Sequence, residues 1–528
     1  MQIPVDAGRT ESLTLSTPSA AAAGVAVAEG PPRIGRTDVP FGTAVRWSYL
    51  LGTGGTVLNA LLTFVIAAIL SPRDFGVVTT AMVWVALALV LLEHGPTIAV
   101  IQQDAITQDH VNAAFWATAT GAAGYGLLLA AFAPVWTAIN DLPELLPICL
   151  ALAPLPLFQA LNIIAEAVLR RHLRMSHLAV RALAANLIAG AAGIAGALAG
   201  LGLWALVVQQ LAWPVLYGAM LWRIAGWRPR VGPIRGPWRD IRRTSLQTYA
   251  GAVGSYLSSR TDVILMGALF GPVVVGLYFF AARFAEMTGE FASGGLRLVS
   301  LPHLSRHGQD GDVMGHEVRR ILHGVALLAF PALGIVAGIA NPLLLFLGDQ
   351  WAVGSGALTL LCVIAAVTTI GTILGASLQA KQRAGIPAAF TWITMGGVAV
   401  ALPLSAWLSA GASTAVRLMA VAAAILAVQV CVMGGLGYVL FRRVLGVPVW
   451  STLLAVVPGA LAAVLAAAAG TLAHRLDPLV NRFFDLAVSG AVAGIVAVAA
   501  VLLMDRQARS LVAQAVTALR RRSAVARA

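Results

Sequence analysis

From Arg46 onward the chain is a succession of apolar runs separated by short polar connections, and each run is about as long as a bilayer is thick. A hydrocarbon core about 30 Å thick takes roughly 20 residues of helix, because no water is available there to satisfy a non-helical backbone. By that measure spans fall near 46–70, 76–101, 113–137, 145–169, 178–198 and 202–222. After a basic stretch they resume near 246–270, 273–299, 321–347, 355–379, 387–409, 414–440, 451–472 and 484–504. The fold class is therefore an all-α polytopic membrane protein with about fourteen transmembrane helices. Charged residues make up only 11% of the chain, where a soluble domain has about 25%, so most of the surface must face lipid.

The arginines set an orientation. With the N-terminus in the cytoplasm, every second connection and both tails should be basic. The tail before the first span has Arg9, Arg33, Arg36 and Arg46; the connection after the fourth span has Arg170, Arg171 and Arg174. The stretch after the sixth carries seven arginines between Arg223 and Arg243, and the C-terminal tail ends in another basic cluster. The opposite connections hold only Arg73, Arg475 and Arg482. A miscounted span would invert every later loop and erase this bias, so both ends are expected in the cytoplasm. The connection at 102–112 departs from the pattern, having neither Lys nor Arg. The net charge of +13 is thus assigned to membrane topology and membrane lipid, not to nucleic acid.

Chemistry of the enzymatic kind has no foothold. The loops are short, no phosphate-binding G-x-x-x-x-G-K-[ST] loop is present, and Cys149, Cys362 and Cys431 lie singly in apolar runs without metal-ligand spacing. No enzyme activity, cofactor or metal is expected.

A short internal repeat divides the chain. Residues 68–82 read AILSPRDFGVVTTAM and 268–282 read ALFGPVVVGLYFFAA, so that Ala68, Pro72, Gly76 and Ala81 recur as Ala268, Pro272, Gly276 and Ala281. Proline and glycine at such a turn stop one helix and start the next. Six spans separate the copies, so the two halves share orientation, which describes a parallel repeat about an axis along the membrane normal. The expected organisation is a disordered tail at 1–40, an N-terminal lobe of six helices at 41–222, a basic linker at 223–245 and a C-terminal lobe of six helices at 246–440. Two further helices follow at 441–504 and a basic tail at 505–528, with a central cavity between the lobes.

Charges inside spans point into that cavity. A charged side chain at mid-membrane costs about 2.5–3.5 kcal/mol on insertion scales. The eighth span carries Arg283, Glu286, Glu290 and Arg297, which at about 100° per residue fall within roughly 60° of one helix face. Two readings stand for these groups: ion pairs such as Arg283 with Glu286, or the wall of a wet cavity. The seventh span adds Arg260 and Asp262, the fourth Gln159, Asn162, Glu166 and Arg170, and the second Glu93 and His94 beside Gly95 and Pro96. Asp262 can neutralise Arg260; Arg170 sits where an interfacial topology charge belongs; Glu93–Pro96 reads as a proton site or a kink. Guanidinium groups suit an anionic substrate and pair well with phosphate oxygens. Carboxylates in the same space suit a proton or sodium ion.

Several segments resemble a known family. "LSPRDFGV" at 70–77, "GPTIAVIQ" at 95–102 and "AFW" at 114–116 are similar to the N-terminal signature of the polysaccharide transporter family, in its Wzx-type and colanic-acid-exporter-like branch. So are "AVLRRHLRMSHLA" at 167–179, "AGLGLWALVVQQLA" at 199–212, "DVILMGALFGPVVVGLY" at 262–278 and "LPHLSRH" at 301–307. The resemblance runs over residues 40–385 and places the chain in the MATE-like multidrug/oligosaccharidyl-lipid/polysaccharide flippase superfamily. It implies two six-helix lobes that alternate between inward and outward openings, in the bacterial cytoplasmic (inner) membrane. It also implies a substrate, an undecaprenyl-diphosphate-linked oligosaccharide moved to the outer leaflet, with polymerase and glycosyltransferases as pathway partners. Carried onto this chain, the diphosphate or an acidic sugar would meet Arg260, Arg283 and Arg297. Glu93, Glu166, Asp262, Glu286 and Glu290 would be the candidates for H+ or Na+. The competing expectation is a cation-coupled multidrug or metabolite antiporter of the same superfamily.

Overall fold

The computed structural model describes residues 54–505 and Arg509, apart from short connections at 103–105, 172–174, 224–226, 232–234, 307–310, 384, 446–448 and 477–480. The expected tails at 1–40 and 505–528 fall almost wholly outside the described residues. Everything described is helix or short connection. Eleven helices among these residues are long and apolar enough to cross a membrane. The three other runs expected to span are also helical. Gly55–Ala67 (α1) has 13 described residues. Arg235–Phe270 (α7) and Pro272–Arg306 (α8) have ample length, 36 and 35 residues, but carry the polar side chains that set them apart.

The N-terminal lobe continues with Pro72–His94 (α2), Gln108–Asn140 (α3), Leu155–Arg171 (α4), Met175–Leu198 (α5) and Trp204–Leu221 (α6). Beyond α7 and α8 come Gly311–Gly338 (α9), Ser355–Ala380 (α10), Gly385–Leu408 (α11) and Thr414–Tyr438 (α12), then Val449–Leu476 (α13) and Arg482–Met504 (α14). Helix packing repeats with a shift of six. In the first lobe α1 packs on α5, α2 on α3 and α4, α4 on α3 and α6, and α5 on α6; in the second α7 packs on α11, α8 on α9 and α10, α10 on α9 and α12, and α11 on α12.

The repeated Pro and Gly lie where the lobes meet. Ser71 caps α2 through a reciprocal bond with Asp74, and Pro72 fills the first turn, where its missing N–H costs nothing. Gly271, at φ +79°, makes the corresponding entry to α8 ahead of Pro272. From those turns α2 and α8 cross so closely that a methyl group on Gly76 would strike the Pro272 carbonyl oxygen, and one on Gly276 would strike the Pro72 carbonyl oxygen. The contact is reciprocal, as a two-fold axis requires. An aromatic cluster seals the same end. Fully buried Trp351 lies 5.6 Å from Phe75 and 4.7 Å from Phe280 between ring centres, and Phe64 reaches Phe284 and Phe346 at 5.9 and 6.0 Å.

The two C-terminal helices, an addition beyond the repeat, form a wall of the second lobe. α13 lies along α9 in the most extensive helix contact of the molecule. Gly334 faces the backbone of Ala463, Gly459 that of Ala326, and Gly470 that of Gly338. Such small residues let helices approach to van der Waals distance in lipid, where no hydrophobic force drives them together. Histidines fasten both ends: His474 bonds Asp485 at 2.8 Å, and His323 bonds the Ala455 carbonyl at 2.7 Å and Asp505 at 2.5 Å.

Candidate functional site: a two-chambered cavity

α2 is broken at Gly95–Pro96 and continues as Pro96–Gln102. Proline cannot donate to the Leu92 carbonyl, and the Thr97 hydroxyl does so instead, at 2.7 Å. The His94 carbonyl is met from the other lobe by the Thr248 hydroxyl at 2.8 Å. Gly95 leaves room for the ring of Tyr249, which a methyl group there would enter. Farther along, the Tyr256 hydroxyl donates to the Val83 carbonyl. α7 is thereby held against α2 from Val83 to the break. The break turns Glu93 and His94 toward the space inside.

That space has two chambers. One, about 660 Å³, lies within the N-terminal lobe between α1, α2, α4, α5 and α6. The other, about 680 Å³, lies between the lobes, walled by α1, α2, α6, α7 and α8. Asn59, His94, Gln209 and Gln210 line both, so the chambers are neighbours that meet at these four side chains.

The inter-lobe chamber brings together Arg260, Asp262, Arg283 and Glu286, with Tyr256, Ser255, Ser259 and Tyr278 around them. Asp262 and Arg260 act on each other's charge but form no ion pair within 4 Å. Asp262 accepts from the Tyr278 hydroxyl at 2.7 Å and from the Val263 amide at 2.8 Å. Neither Arg260 nor Arg283 has a carboxylate within 4 Å among the described residues, and the i, i+3 pair of Arg283 with Glu286 does not form. Two guanidinium groups thus line the chamber without a directly bonded carboxylate, Glu286 and Asp262 acting on them only at longer range. Glu290, four residues beyond Glu286, is exposed but lines neither chamber. The side chain of Arg297 lies outside the described residues.

The N-lobe chamber gathers Glu93, His94, Gln159, Glu166, Arg170 and Asn186, with Tyr217 at its wall. Arg170, placed where a topology charge belongs, is instead a lining residue bonded to Glu166 at 2.5 Å. Glu93 is exposed to the chamber and has no ion-pair partner among the described residues. His94 spends Nδ1 on the Val90 carbonyl, 2.8 Å away. Asn59, Asn186, Gln209, Gln210 and Tyr217 were not singled out by the sequence reading. The signal available was the Gln209–Gln210 pair in the middle of an otherwise apolar span. Among the described residues no group of three or more His, Cys, Asp or Glu is placed to hold a metal ion.

The model of a family described as polysaccharide biosynthesis protein matches residues 65–355, more than half of the chain. The chain belongs to that family. The matched range of this polysaccharide biosynthesis protein contains every chamber-lining side chain named above except Asn59. It is similar to the succinoglycan biosynthesis transport protein ExoT of Rhizobium meliloti (strain 1021), with 24% identity over 329 residues, 62% of this chain and 66% of that protein. It thus spans just under two thirds of that relative's length. It is also similar to the lipopolysaccharide biosynthesis protein WzxC of Escherichia coli (strain K12), 24% identical over 361 residues, 65% of this chain and 70% of that one. In fold it is similar to the lipid II flippase MurJ in an inward closed conformation, with a TM-score of 0.68, 11% identity, and coverage of 89% of this chain and all of that one. The family member described here is a multi-pass membrane protein, as its apolar runs had implied, with a MurJ-like helix arrangement, as the family resemblance had implied.

Proposed function

We propose that this protein is a flippase for a diphosphate-linked saccharide, carrying it across the cytoplasmic membrane of a bacterium by alternating access, with both chain ends in the cytoplasm. One observation carries the reading. Arg260 and Arg283 stand in the cavity between two pseudo-symmetric lobes, and neither makes an ion pair within 4 Å among the described residues; Asp262 and Glu286 act on them from farther off. Cations at membrane depth without a directly bonded anion are costly, and a diphosphate, with its several acceptor oxygens, repays that cost when bound. In that role the two guanidinium groups hold the diphosphate, Tyr278 occupies Asp262 with a hydrogen bond, and Glu93 and Glu286 are the carboxylates that take up a proton or sodium ion. Sealed by Trp351 and its neighbours at the turn end, the cavity would be reached from the cytoplasmic side. No covalent step is needed, so the role is transport rather than catalysis.

The test is reconstitution in vesicles with a fluorescent diphosphate-linked glycolipid. The protein should accelerate transbilayer movement over empty vesicles. Arg260→Ala and Arg283→Ala should each slow it about ten- to a hundred-fold, the worth of one charge-assisted bond. No acceleration by verified folded protein would sink the flippase reading; unchanged rates in both variants would sink the role of the arginines.

A further inference from the structure

We propose that the N-lobe chamber is a saccharide subsite, holding the uncharged sugars of the substrate while its diphosphate sits at Arg260 and Arg283. The inference rests on the flippase reading above and adds which part of the ligand goes where.

The side chains are those that recognise hydroxyl groups. Asn59, Gln159, Gln209 and Gln210 face the chamber, and among the described residues none of these four carboxamides has a hydrogen-bond partner in the protein. A carboxamide offers two donors and an acceptor in one plane, which matches a pair of neighbouring sugar hydroxyls. In a lobe embedded in lipid, unsatisfied amides are a cost with no benefit to packing. Something polar must meet them, and water alone gives no reason for four of them from three different helices to converge.

An aromatic wall stands beside them. Trp213 and Tyr217 stack at 5.2 Å with an interplanar angle of 8°, one turn apart on the helix that also carries Gln209 and Gln210. Both border the chamber, but Tyr217 is buried beneath it, so the face open to a ligand is that of half-buried Trp213. A flat aromatic face next to amides suits a sugar ring, which has an apolar C–H face and a polar edge.

Charge divides the ligand between the chambers. In the N-lobe chamber Arg170 is bonded to Glu166 at 2.5 Å, so its guanidinium is already engaged by a carboxylate. Arg260 and Arg283 next door have no carboxylate within 4 Å among the described residues and are the cations left to bond a phosphate. Because Asn59, His94, Gln209 and Gln210 belong to both walls, a sugar attached directly to the diphosphate lies against the border of the N-lobe chamber. Its volume, about 660 Å³, falls in the range of about 300–1,000 Å³ typical of pockets that enclose small ligands.

The experiment compares two probes on the full chain in lipid nanodiscs: a polyprenyl diphosphate bearing a neutral trisaccharide, and the same polyprenyl diphosphate without sugar. Gln159→Leu, whose side chain lines the N-lobe chamber and not the inter-lobe one, should weaken the glycosylated probe about three- to ten-fold, one hydrogen bond being lost. Binding of the sugar-free probe should stay within about two-fold, no hydrogen bond to it being lost. Gln209→Leu with Gln210→Leu, on another helix and shared with the inter-lobe wall, should weaken the glycosylated probe about three- to ten-fold more than the sugar-free one, which keeps the test alive if Gln159→Leu does not fold. Equal weakening of both probes, or no change in either, overturns the proposal. Arg260→Ala, run in parallel, should weaken both probes. If it weakens neither, the diphosphate assignment fails, while the ratio between probes still reports on the chamber.

Discussion

The two lobes share one packing scheme and have different interiors. In the N-terminal lobe α4 presents Gln159, Glu166 and Arg170 to a wet chamber. At the offset of 200 that relates the repeated turns, α10 carries Thr359, Ala366 and Ile370. There Ala366 and Ile370 pack against an apolar cluster that includes Leu322, Phe330, Ile373, Leu374, Leu378 and Phe441. Thr359 instead borders a smaller cavity, about 380 Å³, shared with His474 and Arg475 of α13. The helix–helix contacts are the same in kind, so the architecture does not depend on which filling is used. The repeat supplies one frame twice, and the larger polar space has been opened in the first copy.

The comparison can be broken most severely where the lobes are alike. Gly76→Ala puts a methyl group into the Pro272 carbonyl, and backbone cannot yield as a side chain does. We expect more than about 4 kcal/mol of destabilisation and loss of the monodisperse peak in fluorescence-detected size exclusion. Gly276→Ala should behave identically, and a difference between the two would refute the reciprocal contact. Next in size is a transplant. Ala366→Glu with Ile370→Arg copies the N-lobe pair into the apolar cluster of the second lobe, where both groups must be desolvated. It should lower stability by about 3–5 kcal/mol, read as a fall in thermal unfolding temperature in detergent. Tolerance of the pair would mean that this cluster is hydrated too. The smallest effect concerns the original pair. A double-mutant cycle with Glu166→Gln and Arg170→Gln should give a coupling energy of only about 1 kcal/mol, because Arg170 is half exposed to the chamber. A coupling several times larger would show the chamber to be dry.

Much of this frame was legible in the chain because membrane helices obey a one-dimensional rule. Length and apolarity along one segment suffice, so the spans, the lobes and the polar character of α7 and α8 could be read before any packing was known. The arginines of α7 and α8 were legible for the same reason, since a charge in an apolar run stands out. The amides did not stand out. A lone Gln or Asn is tolerated in a span, and Asn59, Asn186 and Gln209 come from three helices whose convergence no spacing within one helix can reveal. Asp262 was matched to its near neighbour Arg260, whose charge does act on it, but the hydrogen bond it accepts comes from Tyr278, sixteen residues on and across a turn. Gly76 was read as a helix punctuator; that it is also a point of contact between lobes depends on a partner 200 residues away.

The Gly76–Gly276 crossing has a mechanical side. With no side chain intervening, the two helices bear on each other near one end of their length, as the arms of a pair of tongs bear on a pin. From that pin at Gly76, α2 runs to its break at Gly95, about 28 Å at about 1.5 Å per residue. A turn of about 10° at the pin carries the far end through about 5 Å, roughly one helical pitch. Backbone pressed on backbone slides without any rotamer having to change, and a lever of this length converts a slight roll into an opening two water molecules wide.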